Sequence, residues 1–494
     1  MSISFYSDLQ PYEVWRHFGA LNEIPRPSGQ EQAACNYVRR TALEYGATSK
    51  TDERGNIVVQ VPGTVTDCNP PVVAIQAHLD MVCEKRHGVV HDFAVDPIIP
   101  RLEGDLVYAS GTTLGADNGI GVALALAVLT SEGLEHGPLE LLFTVEEETG
   151  LYGALNLDPA MLSANLLINL DSEDPEELTV GCAGGSGTDI FLTLEREVVA
   201  SEWSAQVLRV SGLQGGHSGV QIHEPLANAI KLLIGVLKEM QSAGEIRLVS
   251  LRGGNAHNAI PRDAEAVVVI APENLDAVTE AFERSRQALL EKWAADEPDI
   301  KVESAAGNLA TQPLTLASTR TTLDLLADLP HGVLMMSHDF EGKVETSCNL
   351  ASVSLGEVDT ELKIHVSVRS FKAGELRRTL DQIGSRSRLA GARNEERDGY
   401  PGWEPDPNSI LLERASGVYM HTQKNEPVIQ VVHAGLECGV LVARKPGLEA
   451  ISFGPRIRGA HTPEEHVYIP TVEGSWKMLV GLLADLSHPT ITET

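Results

Sequence analysis

The stretch Val72–Asp80, VVAIQAHLD, is an unbroken apolar, β-branched run that ends in a His-x-Asp pair. Such a run reads as a buried strand with two polar side chains at its carboxyl end, where open α/β sheets place their chemistry. His78 and Asp80 stand two apart, so on an extended chain they project to the same side. The first can hold a metal ion while the second stays near enough to orient it.

Working outward, the same grammar recurs. Leu139–Val145 is an apolar strand that runs into Glu146-Glu147-Glu148, and Leu166–Leu170 is another that runs into Asp171-Ser172-Glu173. Before them GTTLGADNGIGVALALAVLTSEG is a glycine-rich loop leading into an apolar helix from about Asn118 to Thr130, which puts Asp117 at a helix start. Upstream, Pro11–Tyr45 is helical with a turn at Ile24–Gly29, and Asn56–Gln60 is a further strand. A glycine-rich hinge candidate at Gly181–Gly187 opens a second region. There strands alternate with long helices, roughly in Ala205–Glu283 and again in Ile300–Asp381, as in an α+β domain of two similar halves. Another hinge candidate, Asp398–Trp403, precedes a tail carrying HAGLECG (433–439) and GPRIRGAHTPEEHV (454–467).

Composition narrows the function classes. At 494 residues the chain exceeds one ordinary core, so two domains are expected, one of them discontinuous. A formal charge of -31 without Lys/Arg clusters argues against nucleic acid, and no apolar run approaches the roughly 20 residues needed to span a bilayer. The start, MSISFYSDLQPYEVW, lacks a basic n-region followed by an apolar stretch, so a cytoplasmic protein is expected. Six scattered cysteines without a CxxC pair fit reduced thiols.

A single His-x-Asp is more often structural than metal-binding. The joint placement of His78, Asp117, Glu147, Glu148, Asp171 and His461 beyond apolar segments or in glycine-rich loops points instead to a mixed His/carboxylate centre suited to zinc. Six groups exceed one tetrahedral ion and fit two ions about 3.5–4 Å apart sharing a carboxylate. Cys83 and Cys438 lie near these segments, yet a thiol enzyme has no use for so many metal-type ligands.

The blocks QAHLDMV, GTTLGADNGIG, EEETG, NLDSE, GCAGG, GGHSG, NAIPR, HAGLECG and GAHTPEEHV, in this order from Pro25 to Val467, resemble those of the dizinc dipeptidase, carnosinase and aminoacylase family. The resemblance implies an α/β fold: a zinc-peptidase-like catalytic domain, a mixed sheet flanked by helices, from residues 1–185 and 402–494, with an inserted α+β lid over 186–401. It implies two Zn2+ per chain, with Mn2+ or Co2+ as alternatives. Asp117 would bridge them, with His78 and Asp171 on one ion and Glu148 and His461 on the other. Glu147 becomes the general base, Asp80 the partner of His78, and the Asp117–Asn118 peptide is expected to be cis. Counting back from Gly150 fixes the acid pair as Glu147 and Glu148; a loop shifted by one would move the roles to Glu146 and Glu147.

By the same resemblance His217 donates to the oxyanion, and Asn258 and Arg369 bind a dipeptide's free carboxylate, which wants an amide donor and a guanidinium fork. For Glu437 two readings stay open: a pair with the substrate ammonium, or a place in a glycine-rich turn that only positions neighbouring backbone. The reaction class implied is hydrolysis of unblocked dipeptides, Xaa-His included, since water held between two cations loses its proton far more readily than bulk water. An N-acyl-amino-acid deacylase or carboxypeptidase on the same core is the alternative, and a non-catalytic metal- or peptide-binding protein is the reading from another class. Monomer and homodimer both stay open.

Overall fold

A computed structural model describes residues 5–65, 69–308 and 311–488. The chain forms two compact units. One takes Met1–Cys182, Trp403–Val432 and Leu436–Thr494; the other takes Ala183–Gly402 and the short return His433–Gly435.

In the first unit eight strands form one mixed sheet, in the order Thr48–Thr51, Ile57–Val61, Leu139–Thr144, Val73–His78, Leu166–Asn169, Glu449–Ser452, Glu177–Cys182 and Val428–Val432. Val73–His78 is buried at every position and runs parallel to both neighbours, which is why its sequence is continuously apolar instead of alternating. Helix Ala116–Thr130, buried nearly all round, packs on this strand and on helix Tyr12–Asn22. Its first turn is irregular: Asp117 (φ -78°, ψ 112°) and Asn118 (φ -104°, ψ 31°) are not helical, and the peptide between them is cis. A separate four-stranded sheet, Ile457–Arg458, His466–Tyr468, Leu106–Ala109 and Pro100–Glu103, is absent from the sequence reading. It ties residues 459–465 to the strand that leads into the Asp117 loop.

The second unit is built on a nine-stranded sheet with two halves of the same connectivity. Each runs strand, helix, strand, strand, helix, strand. One half has strands Ser204–Ser211, Ile246–Gly253, Ala264–Ile270 and Lys301–Ala306 with helices Ala229–Ala243 and Leu275–Trp293. The other has strands Gly184–Thr193, Val344–Leu355, Glu361–Ser370 and Arg393–Tyr400 with helices Leu316–Asp328 and Ala373–Leu389, and the ninth strand, Gly332–Met336, is an addition to the pattern that pairs with Val344–Leu355. They meet where Ile246–Gly253 pairs antiparallel with Val344–Leu355. The halves are nested, not consecutive as the division at 283–300 would have it. Gly184–Thr193 opens one half before the whole of the other, and Lys301–Ala306 closes the enclosed half. Their shared core includes Leu208, Ile230, Leu233, Leu251, Val268, Leu350 and Val366.

Among the described residues no helix is long and apolar enough to cross a membrane. The five described cysteines are free, and Cys68 lies outside the described residues.

Candidate metal centre

Three adjacent parallel strands of the first unit, Leu139–Thr144, Val73–His78 and Leu166–Asn169, end side by side, and each hands over to a functional loop. This is the rim at which parallel sheets present ligands. His78 Nε2 lies 3.1 Å from Asp117 Oδ1 and 3.3 Å from Asp171 Oδ1. The other oxygen of Asp117 lies 3.2 Å from His461 Nε2, which is also 3.0 Å from Glu148 Oε2. Asp117 thus stands between two groups of donors and turns one oxygen to each. His78, Asp117 and Glu148 can bring one ligand atom apiece within 4.8 Å of one another, a single compact candidate cluster.

Glu147 Oε2 lies 4.0 Å from His78 Nε2, whereas Glu146 turns away to pair with Arg54. On the far side of the ring, His78 Nδ1 is 3.2 Å from the Asp80 carbonyl oxygen and 3.5 Å from Asp80 Oδ1. The Asp80 carboxylate has further work. It accepts the Ser28 hydroxyl at 2.7 Å and the backbone N–H groups of Glu147 and Glu148 at 3.0 and 3.1 Å, so it holds the acidic loop in place.

The donors fit a cation. Two donors on one zinc ion, each ~2.1 Å from it, sit roughly 3.4 Å apart, close to the spacings here. Glu148 Oε1 and Asp171 Oδ1 are buried without a hydrogen-bond partner. Burial, with the carboxylates of Asp117 and Glu148 beside it, raises Asp171 to about 6 despite His78. Burial likewise holds Glu147 well above the usual range, against the pull of His78. His461, bonded to Asp117 and Glu148, is raised to about 11. Crowded acids of this kind are relieved by positive charge.

Two residues absent from the sequence reading shape this site. Glu465, 2% exposed, accepts the backbone N–H groups of Leu114, Gly115, Ala116 and Asp117 at 2.7, 2.9, 2.7 and 3.2 Å. Arg26, equally buried, donates to the carbonyls of Leu79 and Asp80 at 3.0 and 3.1 Å and of Gly115 at 2.5 Å. A buried anion therefore gathers the amides of the Asp117 loop while a buried cation ties its carbonyl to the end of the His78 strand. Gly115 has φ +68°, and a Cβ there would meet Arg26 Nη2 at 2.5 Å and Met81 Sδ at 2.7 Å, so only glycine serves. The signals were the lone Arg in IPRPSG and the second Glu of PEEHV, neither of which announces a backbone partner.

Residues 74–485 match the model of peptidase family M20/M25/M40. The chain belongs to this family. It is 39% identical over 486 residues to the cytosol non-specific dipeptidase of Escherichia coli, covering 98% of this chain and 99% of that one. It superposes on the crystal structure of aminoacylhistidine dipeptidase from Vibrio alginolyticus with a TM-score of 0.91 and 37% identity, over 97% of each chain. A Bacillus cereus aminopeptidase, at TM-score 0.56 and 14% identity over 97% of this chain and all of that one, shares the fold.

In this M20/M25/M40 chain His217, Asn258 and Arg369 all belong to the second unit. His217 Nδ1 accepts the N–H groups of Gly219 and Val220 at 3.2 and 3.1 Å, and burial together with Arg369 lowers its pKa. The ring is then neutral with its proton on Nε2, a hydrogen-bond donor. His217 and Asn258 line a cavity of about 970 Å³ with Arg252 and Arg262. Arg369 Nη1 donates to the Tyr400 hydroxyl at 2.5 Å, and its Nε is buried without a partner.

Glu437, in the first unit, is 1% exposed. Its Oε2 accepts Gln76 Nε2 at 2.6 Å and Thr144 Oγ1 at 2.8 Å, and burial raises the carboxyl to about 7. From Gln76 the chain of bonds continues through Asn169 to Ser452, each at 2.5 Å.

Proposed function

We propose that the chain is a dinuclear metal-dependent dipeptidase of the cytoplasm, hydrolysing unblocked dipeptides, Xaa-His among them. The names of the Escherichia coli and Vibrio alginolyticus relatives, matched over nearly their whole lengths, support the substrate class and the location. The observation that carries the reading is Asp117, whose two oxygens each face a different histidine. A mixed histidine and carboxylate donor set suits zinc, with manganese and cobalt as substitutes.

His78 and Asp171 would hold one ion, Glu148 and His461 the other, and Asp117 both. When bound, the ions supply Lewis acidity, which lowers the pKa of a water and polarises the scissile carbonyl. Glu147 takes the proton from the attacking water and returns it to the leaving amine. Asp80 fixes the Glu147–Glu148 loop and the back of His78. His217 offers Nε2–H to the oxyanion, and Asn258 and Arg369 bind the free carboxylate. For Glu437 the enclosure by Gln76 and Thr144 supports a place beneath the cluster, steadying strand ends, in preference to a contact with the substrate ammonium.

The test is metal analysis combined with paired assays. Two ions per chain, activity lost on chelation and free dipeptides cleaved over N-acetylated amino acids are expected. A single ion, or exclusive cleavage of the acetylated compounds, overturns the proposal.

A further inference from the structure

Three glycine-rich motifs have no part in the chemistry above: GCAGG (181–185), DGYPGW (398–403) and HAGLECG (433–439). Within the second unit they converge on one side chain. A Cβ on Gly185 would lie 2.6 Å from the Tyr400 hydroxyl, and a Cβ on Gly435 would lie 2.5 Å from Tyr400 Cε2. Tyr400 is paired in register opposite Gly185, and Gly185 in turn opposite Arg369. The ring therefore fits between two backbones that carry no side chain, and its hydroxyl accepts Arg369 Nη1 at 2.5 Å.

We propose that Tyr400 is a positioning residue that sets carboxylate specificity by fixing the Arg369 guanidinium. This deepens the dipeptidase reading and rests on Arg369 as the site of the substrate carboxylate. An arginine on a strand has several rotamers, and a bidentate grip on a carboxylate needs one of them. With Nη1 spent on the tyrosine, the edge made by Nε and Nη2 is the one left for a ligand, and Nε is buried and unpartnered. Gly219 brings His217 and Arg369 together: a Cβ there would sit 3.0 Å from His217 Cε1 and 3.1 Å from Arg369 Nε. The fixed guanidinium thus stands beside the proposed oxyanion donor. Charged guanidinium and phenol hydroxyl form a bond whose loss frees the arginine to turn, at a cost of about tenfold in ligand affinity.

The experiment compares a dipeptide with its C-terminal carboxamide in the metal-loaded enzyme. In Tyr400→Phe the acid-to-amide ratio of kcat/KM is expected to fall about tenfold, through a higher KM for the acid. Gly435→Ala, whose methyl would push on the ring edge, is expected to lower the same ratio. A ratio unchanged in either variant, or both substrates losing equally so that the ratio holds, overturns the role of Tyr400. A wild-type enzyme with no preference for the acid overturns the carboxylate-site reading itself, which separates the two failures.

Discussion

The first unit gathers its polar chemistry at the ends of three neighbouring strands, whereas the second gathers its own where distant backbones cross. Around Asp117 the donors are adjacent because parallel strands end together, so burial, with like charges close by, makes Glu147 and Asp171 resist ionisation. Among the described residues no carboxylate forms an ion pair with Arg369. A guanidinium, a phenol and an imidazole are brought together by glycines that permit close approach. The first arrangement needs a cation to be comfortable, the second an anion.

That contrast breaks most easily at Glu147. Glu147→Gln keeps the shape and removes the proton acceptor, so kcat is expected to fall about 10^3-fold with metal content unchanged, read by steady-state kinetics beside elemental analysis. Unimpaired hydrolysis would remove the base from the mechanism. Next, Glu465→Gln changes a residue that meets the proposed ligand Asp117 only at its backbone N–H and meets no substrate. It weakens the acceptor for four amides of the Asp117 loop, so metal affinity, measured by chelator competition, is expected to fall about 10- to 100-fold. An unaltered affinity would mean that the loop holds its shape without the buried anion. In the second unit Arg369→Lys keeps the charge and loses the fork, and a rise in KM for free dipeptides of about tenfold is expected, with little change in metal affinity.

The same contrast explains what could be read in advance. Strand-end motifs such as QAHLD and NLDSE are legible because an apolar run followed at once by an acid or histidine has few structural uses. His78, Asp171, Glu148 and His461 accordingly stand within 3.3 Å of a neighbour in the cluster. Glu465 and Arg26 were not legible, since their partners are backbone amides and carbonyls that any sequence supplies. Tyr400 was visible only as part of a glycine-rich turn, because its value lies in two glycines 215 and 35 residues away in the chain. The nested halves escaped for a related reason: topology can repeat when side chains do not, since a sheet order depends on which faces are apolar.

The smallest effect separates the units by pH. In the chelated protein burial raises Glu437 and Glu465 to about 7, from an ordinary 4.5. A carboxyl whose pKa is higher folded than unfolded binds more protons in the fold, so acidification from pH 7 towards 4.5 stabilises it. Within the first unit His17, pressed by burial to about 3, acts the other way. In the second unit burial lowers His331 to about 4 and His433 to about 3, from 6.5. These imidazoles bind protons only once unfolded, so stability there is present above 6.5 and drains away as pH falls towards 4. Hydrogen exchange at pH 7.5 and 5.5, corrected for intrinsic rates, is therefore expected to show protection of Val73–His78 rising relative to that of Glu361–Ser370. Parallel changes in the two strands would mean that their environments are alike, and the division between a site short of positive charge and one short of negative charge would fail.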